Sequence, residues 1–172
     1  MNAPDWVALL STSLLAGVGG GAITAYSGSR LYTRKRKDEI NSEKRQVIKA
    51  AIKEISESLN AAEDAIRLYQ KADHGSYPYD KIRESVRNLQ IVAAVLPGPE
   101  PATLFEDVGW CLMHAPIGES RSVSVGETTY PLFELSRAYL SAVASESALP
   151  NTSIARDTRE ALDDIWQENY PE

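Results

Sequence analysis

The chain has 172 residues, and its formal charge of −6 is divided unequally along its length. Residues 1–37 carry five Lys/Arg and one acid, whereas residues 38–172 carry thirteen Lys/Arg and twenty-three acids, a net charge of −10. So acidic a segment repels phosphates and disfavours nucleic-acid binding, and a single cysteine, Cys111, rules out an intrachain disulfide framework and suits a reducing compartment.

The first element expected is a membrane span. No charged side chain occurs from Trp6 to Tyr26, and the 21 residues of that run would extend roughly 30 Å as a helix, the thickness of a bilayer's hydrocarbon core. Trp6, Tyr26 and Tyr32 sit where interfacial aromatic anchors sit. Arg30 and the cluster Arg34, Lys35, Arg36 and Lys37 follow. By the positive-inside rule these residues act as a stop signal and keep the C-terminal side cytoplasmic, in contact with anionic headgroups, so that the protein is a single-pass signal anchor with its N-terminus outside. A cleaved signal peptide is disfavoured because its basic residues would precede the apolar run. Gly17-Val-Gly-Gly-Gly-Ala22 fits a dinucleotide-binding spacing, but it lacks the preceding strand that such a loop needs. Ser13, Gly17, Gly21 and Ala25 recur every fourth residue and form a stripe of small side chains on which two spanning helices would pack.

After the anchor (residues 1–33) comes a basic and polar juxtamembrane stalk (34–46) and then a helical bundle domain (47–172). From Asp38 to Ala72 there is no Pro or Gly. Ile48, Ile52, Ile55, Leu59, Ala62, Ile66 and Tyr69 trace a heptad seam of coiled-coil character, and Val47, Ala51, Ala65 and Leu68 widen it toward the core-facing stripe of a bundle helix. His74-Gly75-Ser-Tyr-Pro78 breaks this helix. Asp80 is the expected N-cap of a second, bearing Ile82, Val86, Leu89, Val92 and Leu96, which Pro97 to Pro101 terminate. Thr103 and Glu106 have capping-box spacing for a third helix with Leu104, Phe105, Val108 and Leu112. His114 to Pro131 reads as a long loop that admits a minor hairpin over residues 122–130. Pro131 is expected in the first turn of a fourth helix with Leu132, Leu135, Tyr139, Ala142 and Val143. A fifth starts near Asn151 to Ser153 and presents Ile154, Leu162, Ile165 and Trp166. The fold class expected is all-α, a bundle of about five helices behind one transmembrane helix.

The sequence points to no catalytic, cofactor or metal residues. Cys111 and His114 have C-x-x-H spacing, yet a zinc site needs more ligands, and Cys111 among Trp110, Leu112 and Met113 reads as a buried thiol. His114 is expected to bond the last carbonyls of its helix. Neither histidine lies in a recognisable nucleophile motif. Paired acids such as Glu63-Asp64, Glu106-Asp107 and Asp163-Asp164 diverge on a helix and read as solvated faces. Tyr77 and Tyr79 are candidate partner contacts, or caps on the core.

In layout the chain is similar to bacterial and phage proteins with a Gly-rich N-terminal span, a basic stop and a helical cytoplasmic domain. The function expected is that of a noncatalytic, membrane-tethered adaptor or regulator. Its partners would be membrane lipid, a cytoplasmic protein and other copies of itself, with no cofactor. The alternative is a phage-type membrane effector, holin-like or an exclusion protein, acting through the Gly-rich helix.

Overall fold

The structure is a computed structural model; it describes residues 5–72 and 75–169, with side chains from Arg36 onward. Among these residues the chain is all-helical, with α1 (Asp5–Lys71), α2 (Tyr79–Ala93), α3 (Glu100–His114), α4 (Val125–Ser145) and α5 (Ser153–Asn169), and a 3-10 segment, Ala115–Arg121, between α3 and α4. Two compact units are present, Met1–Arg45 and Gln46–Glu172. No helix among the described residues is long and apolar enough to cross a membrane. The run Trp6–Tyr26 lies outside the residues whose side chains are described, and with it Ser13, Gly17, Gly21, Ala25, Arg30, Arg34 and Lys35. Arg36, Lys37 and the following residues to Arg45 are exposed.

Within the second unit the expected seam of α1 is the core-facing stripe: Ile55, Leu59, Ala62 and Ile66 are fully buried, and Ile48, Ile52 and Tyr69 flank them half-buried. A fully buried Ile or Leu gains ~1.5–3 kcal/mol from leaving water, so this stripe is the main attachment of α1 to the bundle. Ala51 and Ala65 join it, whereas Val47 and Leu68, expected to widen it, are 53% and 61% exposed. The rest of the core comes from Ile82 and Leu89 of α2, Phe105 and Leu112 of α3, and Leu132, Phe133 and Tyr139 of α4. α3 touches α2, α4 and α5. Gly109 permits its approach to α2, because a Cβ there would lie 2.7 Å from Val86 Cγ1.

Three helix starts differ from expectation, each for a local reason. α2 begins at Tyr79, after Pro78, so Asp80 lies inside the first turn, where its carboxylate complements the helix dipole. α3 begins at Glu100 with Pro101 in its first turn, a position that suits proline because its missing N–H has no intrahelical acceptor there. Thr103 is therefore helical and caps nothing. There is no hairpin at 122–130: Ser124 is the N-cap of α4, its hydroxyl accepting from Glu127 N–H while the Glu127 carboxylate accepts from Ser124 N–H. Pro131 consequently sits inside α4. The expected loop before it is instead the 3-10 segment, closed by Ser122 in the left-handed conformation at φ 62°. At the start of α5, Asn151 Oδ1 accepts from Ser153 N–H at 3.0 Å.

Candidate functional site

The polar and aromatic side chains that could meet a ligand gather along the α3–α5 seam. Asp107 and Arg159 face each other across it at 2.7 Å, with Glu106 3.7 Å from the same guanidinium. Arg159 also lies 5.6 Å from the centre of the Trp110 ring, a cation–π contact. The hydrogen bond from Arg159 to Asp107, outweighing the cost of its burial, raises the guanidinium pKa further. One turn on, His114 stacks on Trp110 at 4.1 Å with an 18° interplanar angle, and the Trp166 ring meets it edge-on at 5.9 Å. His114 Nδ1 is 2.8 Å from Trp110 O. As expected, the histidine bonds a carbonyl of its own last turn.

Beside this ladder opens a cleft of about 670 Å³, bordered by the start of α2, the end of α3, the 3-10 segment and the last turns of α5. Tyr79, His114 and Trp166 give it aromatic walls, Met113, Pro116 and Ile117 apolar ones, and Arg83 a cation. Tyr79 is 44% exposed, whereas Tyr77 is buried, its hydroxyl donating to Leu112 O and its ring wedged edge-on against Tyr69 and Tyr79. Burial, with the neighbouring Tyr79 and Tyr69, raises the Tyr77 phenol far above its ordinary pKa.

Cys111 and His114 do not converge. Cys111 is fully buried and donates to Ala155 O at 3.7 Å, and burial pushes its thiol up to about 12, so that little nucleophilic thiolate forms at neutral pH. Among the described residues no group of three or more His, Cys, Asp or Glu is placed to hold a metal ion.

The paired acids diverge on their helices as expected, but two of them are not solvated. Asp107 is buried in the Arg159 ion pair while Glu106 is exposed. Glu63 is buried and accepts from both Arg67, on its own helix, and Arg137 of α4, while Asp64 is exposed. Its burial alone would raise its pKa, but the two guanidiniums outweigh that and lower it. Asp163 and Asp164 are exposed.

The arrangement of Trp110, His114, Arg159 and Trp166 went unread in the sequence. Its one local signal is the four-residue spacing of Trp110 and His114, which stacks them on one helical face; the α5 residues join only through tertiary packing. The chain matches no protein-family model, no curated protein and no solved structure.

Proposed function

We propose that the chain is a noncatalytic adaptor or regulator tethered to the cell membrane by residues 6–26, with its N-terminus outside and its acidic helical domain in the cytoplasm. The observation that carries this reading is the order of charge in the sequence: an uncharged run, then Arg34 to Lys37, then 135 residues of net charge −10. The basic cluster sets sidedness and meets anionic headgroups, each cation contributing roughly 1 kcal/mol near the surface. The acidic domain then faces a cytoplasmic partner or another copy of itself. Support for contact with a partner comes from apolar side chains left exposed on the bundle, Leu68 at 61% and Ile91 at 60%, and from the exposed Tyr79.

The test is alkaline extraction of membranes together with a C-terminal sidedness reporter. The chain should stay in the membrane fraction, and relocating Arg34–Lys37 to the N-terminal flank should invert the reporter. Release by carbonate would overturn the tether. Rapid depolarisation of cells by the span alone would instead favour a phage-type membrane effector.

A further inference from the structure

We propose that the cleft between Tyr79, His114 and Trp166 binds a small aromatic carboxylate that also carries a hydrogen-bond donor, such as a phenol. This goes beyond the tethering role and does not depend on it.

The acceptor for such a ligand is fixed in place. Because Trp110 O can only accept, His114 Nδ1 must carry the hydrogen of their 2.8 Å bond. In the neutral ring the lone pair is then on Nε2, on the far side of the imidazole from the α3 backbone. Stacking on Trp110 and the edge of Trp166 hold the ring plane, so the acceptor is oriented before any ligand arrives. None of the described residues bonds it. The donors Ser120 and Asn169, which also line the cleft, are already used: Ser120 Oγ donates to Ile117 O at 2.8 Å and Asn169 Nδ2 to Ile165 O at 2.9 Å.

The cation is available. Arg83 lies 3.8 Å from Asp80, with the two side chains 69% and 100% exposed. A contact so solvated is weak, and a ligand carboxylate offering two oxygens to the guanidinium fork can displace it.

Charge and shape agree with this choice. In a segment of net −10, residues 38–172, an anion is favoured where the walls carry no carboxylate, and among the described residues none that lines this cleft is Asp or Glu. The neighbouring clefts differ: one includes Asp80, a second Glu100 and Asp107, a third Glu127 and Asp157. Tyr79 and Trp166, 44% and 41% exposed, offer ring faces and edges to a flat ligand. The volume of about 670 Å³ lies in the range of small-molecule sites.

The full chain in detergent solution, titrated with 4-hydroxybenzoate and followed by calorimetry and by the indole N–H signal of Trp166, should bind saturably, with phenol and benzoate each weaker. Arg83→Gln should weaken 4-hydroxybenzoate about tenfold, the effect of losing one charge-assisted hydrogen bond. His114→Phe keeps an aromatic ring but removes the acceptor. It should weaken 4-hydroxybenzoate and leave benzoate unchanged, a split that a merely structural histidine would not produce. Absence of saturable binding by the folded wild-type chain overturns the proposal, as does unaltered binding by Arg83→Gln or equal loss of both ligands in His114→Phe.

Discussion

Two glycines at helix contacts show how much depends on what a side chain would meet. At Gly109 an added Cβ would come 2.7 Å from Val86 Cγ1, a β-branched side chain on a packed helix with little freedom to turn away. Gly109→Ala should therefore destabilise the domain by about 1–3 kcal/mol, read as a lower urea midpoint. At Gly126 the nearest atom is the amide end of Gln70, an exposed side chain with several rotatable bonds, tied there by the 2.7 Å hydrogen bond its oxygen accepts from Tyr130, and the Tyr130 ring is also close at 2.9 Å. Gly126→Ala should cost less, and the reverse order would show that the α2–α3 contact is not tight. Glu63 adds a pH dependence of definite sign. Its carboxylate is held below the ordinary value of about 4.5, burial opposing and the two arginines prevailing, so its contribution is complete above that value and is lost as pH falls through the lower folded value. Urea midpoints of Glu63→Gln should accordingly fall less than wild type's as pH drops below about 4.5; parallel curves would remove the assignment.

At the scale of elements, the seam of α1 was legible because Ile55, Leu59, Ala62 and Ile66 repeat with the helical period, and their burial follows from that alone. Val47 and Leu68 were misplaced because periodicity says which residues share a face, not how wide a neighbour's footprint is. Helix starts were legible only where one signal stood by itself. Thr103–Glu106 and Ser124–Glu127 have the same capping spacing, yet only the second caps a helix. Pro101 had already started α3 upstream of the first pair, whereas Ser124 follows a left-handed Ser122 that ends the 3-10 segment and frees the chain to begin again. Gly126, Thr128 and Thr129 disguised the first turn of α4, since all are poor helix formers. Ser124→Ala should cost about 1 kcal/mol and lower the thermal midpoint seen by circular dichroism, while an unchanged midpoint would mean that tertiary packing alone holds this turn. The α3–α5 site was illegible for a different reason: Asp107 and Arg159 lie 52 positions apart, and nothing local in either helix announces the other.

For the whole molecule, the proposed tether carries a further expectation, self-association through the stripe of Ser13, Gly17, Gly21 and Ala25. Replacing Gly17 and Gly21 with Leu should reduce the signal in a transmembrane dimerisation assay, because the two backbones could no longer approach; an undiminished signal would place self-association elsewhere. The stability margin of the molecule also has an identifiable brake. Tyr139 is 1% exposed against Phe105, and among the described residues its hydroxyl has no hydrogen-bond partner. Dehydrating a phenol without replacing its water costs about 1–3 kcal/mol. Tyr139→Phe should thus raise the urea midpoint, and a lowered one would reveal a partner for the hydroxyl. Removal of that one interior oxygen should give a hardened version of the protein with every surface left as it is.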